Sequence, residues 1–294
     1  SSLTFDGATT ARAESENLDD ITQCFKNAQT EVVICCLASR SGTEADSLKV
    51  DYEASVNCLK AAQACGARHF VLLSAFCVAK PDLGFQVAKL KTEAALKNQN
   101  DVTWTSVRPT AFFKSLSGQV EIVRGGGPFV YFDLGGGRSA TCNPISEADL
   151  AMAIVDCVAD PARSSAGGEP IWNVGGPDAG VSMKRQGELI ADAIAAVDGG
   201  ERKDPWLLPV PIGVFDGIVG AIKWVYDLTG ADSVRDAWEL GKIGRYYAVE
   251  DMLTTADAER YGAMSLREHY ENVAKNGQEY DPYTTVFAKN PLIK

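Results

Sequence analysis

The 294-residue chain holds 46% hydrophobic and 23% charged residues, the balance of an ordinary globular protein with material for a sizeable core. A formal net charge of −11 argues against a nucleic-acid surface, which a phosphate backbone would repel, and against charge-driven docking to anionic lipid. No apolar run reaches the roughly 18 residues that span a bilayer.

In chain order, residues 31–39 (EVVICCLAS) form a short β-branched run, expected to be a parallel strand buried on both faces. Residues 51–67 read as a helix with Val56, Leu59, Ala62 and Ala64 as its apolar positions, closed by Gly66. A second strand (68–76), a helix from Phe85 to Leu96 and a third strand (102–109, stopped by Pro109) follow. Strand alternating with helix in this way implies a parallel sheet with right-handed crossovers. Beyond it come a Gly-rich turn, a short strand and another turn (124–137), a helix opened by Ser146 and Asp149, and one more short strand (170–177). Helices are expected over 182–196, 212–228, 233–241 and 265–275, the last with Ser265 and Glu268 at capping-box spacing. The expected architecture is α/β: a Rossmann-like parallel sheet over 1–178 and a smaller, mainly helical lobe and tail over 179–294.

The eight cysteines include no C-x-x-C pair, so zinc-ribbon and iron–sulfur spacings are absent. Their places in apolar and helical runs suit reduced core thiols of an intracellular or organellar protein. With only His69 and His269 present, neither a histidine metal site nor a Ser-His-Asp triad is expected. A glycine-rich phosphate turn after the first strand is also absent. The segments RGGGPF and GGGRS lie elsewhere and read as tight turns. Residues 11–25 resemble the part of a Rossmann domain after its second or third strand. The first strand, phosphate loop and first helix are therefore expected upstream of Ser1, along with any targeting peptide.

Several stretches carry a family likeness: CLASRSG (36–42), DYEAS (51–55), HFVLLSAFCVAKP (69–81), FQVAKLKTEA (85–94) and VRPTAFFKSLSGQVE (107–121). NPISEADLA (143–151), NVGGP (173–177), VPIGVFD (210–216) and GKIGRYYAVEDML (241–253) continue it. Together they resemble the NADPH-dependent divinyl chlorophyllide 8-vinyl reductases, atypical members of the short-chain dehydrogenase/reductase group. The tail YDPYTTVFAKNPLIK departs from that pattern. The resemblance implies NADPH as cofactor, a tetrapyrrole substrate, and hydride transfer that saturates an 8-vinyl group in a plastid. It also implies that Phe85, standing where related reductases carry the tyrosine of a helical Tyr-x-x-x-Lys pair, is the family's own residue. Hydride added to a conjugated vinyl group spreads its charge into the macrocycle, so no oxyanion awaits a phenolic proton.

On this reading Lys89 is the catalytic candidate, holding the nicotinamide ribose, with a solvated surface lysine as the alternative. Ser39 and Arg40, Ser74, and Pro109 with Thr110 end strands at their carboxyl edges and are the other cofactor candidates, with an exposed loop as the alternative for Ser39 and Arg40 and a capping role for Ser74. Phe112 and Phe113 are candidates to stack on the macrocycle, or are core. Lys114 and Arg245 are candidates for carboxylate pairing, Arg245 alternatively for a structural ion pair, and Tyr246 stands beside it in the same cluster. The helix over 211–228, apolar on more than one face, reads as packed core or a lid over the pigment, with a membrane or partner contact as the alternative. A second reading of the whole chain is a non-catalytic scaffold or pigment-binding relative attached to a photosynthetic membrane complex. A third is another atypical reductase acting on a different apolar conjugated substrate. Because backbone N–H groups of a glycine-rich turn carry most of a dinucleotide's pyrophosphate binding, residues 1–294 alone are expected not to bind NADPH tightly. Calorimetric titration of NADPH into this chain, beside one extended upstream, checks that expectation; tight binding by residues 1–294 would overturn it.

Overall fold

In the computed structural model, which describes residues 7–278, helix α1 (Leu18–Asn27) leads to strand β1 (Val32–Cys35). Helix α2 (Glu44–Ser47) then runs through a π-helical segment (Leu48–Ala54) into α3 (Ser55–Cys65). Strand β2 (His69–Leu73), helix α4 (Gly84–Lys97) and strand β3 (Thr103–Pro109) follow, then α5 (Val120–Arg124), β4 (Phe129–Asp133) and β5 (Thr141–Cys142). Helix α6 (Glu147–Ala159), strand β6 (Ile171–Val174) and strand β7 (Val181–Ser182) come next. The rest comprises α7 (Met183–Asp198), β8 (Leu207–Pro211), α8 (Ile212–Thr229), α9 (Asp232–Val249) and α10 (Leu266–Asn276).

Strands β1, β2, β3 and β6 make one parallel sheet in that order. On one face Val33, Cys35, Phe70, Leu72 and Trp104 pack against Leu59 of α3 and Leu96 of α4. On the other, Val71, Val107 and Trp172 pack against Leu150 and Ile154 of α6. That second cluster takes no residue from β1, and Ile34 stays 44% exposed. The first strand is therefore half-buried and not buried on both faces, as its unbroken apolar run had suggested.

The helix expected from residue 51 begins at Glu44, and its middle is π-helical. A π turn holds an extra residue, which rotates the buried face. Asp51, Ala54, Ser55 and Leu59 point inward, whereas Ala64 is exposed and Val56 only half-buried. Gly66 closes the helix in the left-handed region at φ 76°, and Ser265 and Glu268 form the reciprocal cap of α10.

A second core joins Phe113, Val120, Phe129 and Tyr131 to Ile190, Leu266 and Tyr270, so it draws on residues before 178 as well as after it. Strand β8, paired parallel with β4, lies where the sequence reading placed no element. Pro209 and Pro211 lack N–H donors, which disguises the segment and confines it to a two-stranded ribbon. Helix α9 continues eight residues beyond the expected stop at Gly241. Its glycines serve contact: a Cβ at Gly241 would meet Val219 at 3.1 Å, and one at Gly244 would meet Phe215 at 3.2 Å, both on α8. The tail YDPYTTVFAKNPLIK lies outside the described residues.

Asn143 ties the ends of β3 and β6 to the segment after α9. Its amide donates to Thr254 Oγ1 at 2.7 Å and accepts from Thr254 N at 3.0 Å, while its carbonyl accepts from Thr110 Oγ1 at 2.6 Å and Gly176 N at 2.9 Å. Asn143→Ala keeps the carbonyl but strands the buried Thr254 N–H and leaves a void. We expect it to cost roughly 2–4 kcal/mol, read as a lower urea midpoint with unchanged slope.

Candidate functional site

The inward stripe of α4 is polar: Gln86, Lys89, Thr92 and Glu93 are buried, while Val87 on the same helix is 46% exposed. Burial of charge at this price in solvation requires partners, and both charged residues have them. The Lys89 ammonium lies 3.0 Å from Asp51 Oδ1 and donates to Leu73 O at 3.1 Å and Leu37 O at 3.4 Å. All three of its N–H donors are thus directed at acceptors, two of them at the carboxyl ends of β1 and β2. Asp51 reaches it from the π-helical turn and also accepts the Ser39 N–H at 3.2 Å. Ser39 Oγ sits 3.1 Å from Ser47 Oγ.

One turn further along α4, Glu93 accepts from Ser74 Oγ at 2.7 Å, Ser106 Oγ at 2.8 Å and Arg108 Nε at 3.0 Å, with a second bond from the Arg108 guanidinium. Burial pushes the Glu93 carboxyl up, but the bonds from Arg108 and Ser74, the Arg108 charge and the Ser106 bond outweigh it. The group is held below its ordinary 4.5. Two buried ion pairs therefore pin α4 under the carboxyl edge of the sheet.

Above them the lining is apolar. Ala75 and Ala111, just past the ends of β2 and β3, pack with Phe76, Phe85, Leu116 and Ile243 of α9 against a buried cluster of Cys77, Leu83, Cys142, Tyr246 and Met252. Phe85 lies one helical turn before Lys89 and brings no hydroxyl to this surface.

The structure brings Lys89, Ser39 and Ser74 together at this edge, with Pro109 and Thr110 at the end of β3. Arg40 is exposed in the loop after β1. Thr110 is buried with its hydroxyl bonded to Asn143 O. Phe112 is half-buried beside the α6 cluster, and Phe113 is wholly buried in the second core, which leaves its ring no open face. The Lys114 N–H donates to Glu147 at 3.3 Å. Arg245 pairs with Asp216 of α8, on the side of α9 away from the edge. The Tyr246 hydroxyl donates toward Cys77 O at 3.0 Å and Lys80 O at 2.9 Å, stitching α9 to the loop after β2, and burial pushes its phenol up to about 12. Among the described residues no group of three or more His, Cys, Asp or Glu is placed to hold a metal, and all eight cysteines are free thiols.

Asp51 and Glu93 escaped the sequence reading, since a helical carboxylate is ordinarily a surface residue. The available signal was the i, i+3, i+7 spacing of Gln86, Lys89 and Glu93.

Residues 2–161 match the NAD(P)H-binding family. The chain belongs to it. Among curated relatives of this family member, the divinyl chlorophyllide a 8-vinyl-reductase, chloroplastic, of Arabidopsis thaliana is 40% identical over 287 residues, covering 92% of this chain and 65% of the relative. The protein of the same name from Cucumis sativus is 44% identical over 260 residues, covering 84% and 58%. The chain thus spans less than two thirds of the length of these relatives. Solved structures sharing the Rossmann-like fold include an NADPH-dependent quinone oxidoreductase from Escherichia coli (13% identity, TM-score 0.60, 89% of this chain and 82% of that one). A UDP-glucose 4-epimerase from Thermotoga maritima has 14% identity and a TM-score of 0.59, covering 90% and 82%.

Because the folded Glu93 carboxyl titrates below the unfolded one, its stabilisation is complete above the unfolded value and is lost as pH falls through the folded one. Glu93→Gln, which strands the Arg108 guanidinium, is expected to cost roughly 3–5 kcal/mol at neutral pH. It should also flatten the decline of stability below about pH 4.5. Urea unfolding at a series of pH values reads both effects.

Proposed function

We propose that the protein reduces the 8-vinyl group of a divinyl chlorophyllide-type tetrapyrrole to ethyl in a plastid, using NADPH. The observation that carries this reading is an apolar cluster that includes Phe85, where related reductases hold an acidic hydroxyl, one helical turn from the buried Lys89. It is supported by identity of 40–44% to plant 8-vinyl-reductases named as chloroplastic.

The described residues fit the nicotinamide-riboside end of the cofactor. Lys89 supplies fixed positive charge, the loop after β1 supplies the Ser39 hydroxyl, and Ala75, Ala111 and Phe85 offer an apolar wall to a flat ring. No G-x-G-x-x-G turn joins a strand of this sheet to a following helix among them, so no described residue is assigned to the pyrophosphate. When bound, NADPH supplies the hydride.

The protein's own part is positioning and electrostatics. Asp51 and the Leu73 carbonyl hold the ammonium, whose third contact, Leu37 O at 3.4 Å, is the longest and the one a ribose hydroxyl displaces at least cost. Phe85, Phe76 and Ile243, which share one apolar cluster, would shield the reacting carbon from water. Charge that develops on a conjugated vinyl group is delocalised, and the absence of a hydroxyl at position 85 costs the reaction nothing.

The test is conversion of divinyl to monovinyl pigment by the intact gene product with NADPH, followed by chromatography. Pigment binding without turnover under any cofactor condition would instead make the protein a non-catalytic pigment binder. Lys89→Met is expected to lower kcat/KM about 100-fold, about 2.7 kcal/mol, while pigment Kd changes by less than about threefold. Phe85→Tyr should leave the rate unchanged or lower it; a tenfold gain would mean that a proton donor had been missing.

A further inference from the structure

The sequence reading offered core or lid as first choice for α8; the structure exposes its outer face to solvent. The inner face rests on α9 through Val219 against Gly241 and Phe215 against Gly244. The flank beside that contact carries Val214, Ile218, Ala221, Val225 and Leu228 in steps of four, three, four and three; Ala221 and Val225 also border a groove against Val234 and Ala237 of α9, and Trp224 lies further round the outer surface. All six are exposed, and Val214, Ile218, Trp224 and Leu228 are more than half so. A stripe with a 3.5-residue repeat is the seam one helix presents to another.

We propose that this face of α8 binds the same face of a second copy of the chain, antiparallel about a two-fold axis near Ala221. A two-fold interface must be complementary to itself. Read in either direction, the stripe runs two large residues, alanine, two large residues, so reversal leaves its shape nearly unchanged. Gly217, one turn before Ala221, flanks the centre with open space around it, and the backbones can approach there.

Charge permits the pairing. In a chain of net charge −11 most surfaces repel their copy. On α8, however, Asp227 is paired with Lys223 and Asp216 with Arg245 of α9, so the seam brings no uncompensated charge. The same balance gives anionic lipid nothing to attract. The size is sufficient for a modest dimer. Eighteen residues make a seam about 27 Å long. Six side chains per copy at about 80–100 Å² each bury about 1,000–1,200 Å² in total, the lower end of the range for specific interfaces. Two α8–α9 hairpins then form a four-helix cluster. Lys89 lies beyond α9, and the dimer leaves its edge open.

Sedimentation velocity of the intact gene product across the micromolar range tests this. We expect a monomer–dimer equilibrium that Ala221→Glu, which sets two carboxylates near the axis, weakens at least 100-fold. Leu228→Lys at the end of the stripe should weaken it about tenfold, and a second exposed position keeps the test valid if one variant fails to fold. A monomer at every concentration, or a dimer indifferent to both substitutions, overturns the proposal. So does flotation with neutral-lipid vesicles that both substitutions abolish while the protein in solution stays monomeric, which would make the same face a lipid contact.

Discussion

Everything at the carboxyl edge depends on where three N–H bonds of one ammonium go. Removing a lysine and an aspartate from water costs several kcal/mol per ion, and their attraction in the interior does no more than offset this. The Lys89–Asp51 pair is therefore a poor way to stabilise a fold and a good way to fix a charge. Its geometry explains an otherwise odd local structure. A regular helix from Glu44 onward would turn a different residue inward at position 51, whereas the π-helical turn aims Asp51 at Lys89 and lets its other oxygen hold the Ser39 amide. The loop after β1, the end of β2 and helix α4 are thereby tied to a single point.

The Glu93–Arg108 pair performs a different task on the same helix. Arg108 leaves β3 toward the edge, and Glu93 ties it back to α4 together with the hydroxyls of Ser74 and Ser106. Four hydrogen bonds from three side chains converge on one carboxylate, which keeps a buried polar network from becoming a defect. With charge confined to the underside, the upper surface of Ala75, Phe85 and Ala111 stays apolar. A buried ammonium acts through a low dielectric, where its field is strongest. That arrangement suits a reactant whose charge is spread over a large ring better than one with an oxyanion to be protonated.

Much of this was legible in the sequence, and the failures have physical causes. The parallel strands and the helices that cross between them announce themselves by β-branched runs and by caps such as Ser265 with Glu268 and Gly66. Several motifs of the family likeness, among them CLASRSG, FQVAKLKTEA and VRPTAFF, border the carboxyl edge of the sheet. Asp51 and Glu93 were missed because a charged helical residue is read as solvated unless its partner is known, and each partner lies on another element. Phe113 reads as a ligand-facing aromatic beside Phe112, yet it occupies the second core, since adjacent residues at a strand's end point to opposite sides. Strand β8 hid behind its prolines, and α9 ran through two glycines whose purpose was to admit α8.

Helix α9 is what relates the outer surface to the chemistry. One side of it carries Glu239, whose carboxylate accepts the first N–H of α2 at 2.7 Å, and Tyr246, whose hydroxyl holds the loop after β2. That carboxylate at a helix N-terminus is a favourable placement, and it fixes the segment from which Asp51 reaches Lys89. The other side of α9 is shaved to glycine so that α8 can lie close. A helix held from both sides has little freedom to tilt, so Ile243 is kept in the apolar cluster that also holds Phe85. The consequence is a site whose charged floor is set by α4 and the sheet, and whose roof is set by packing against a helix that never touches it.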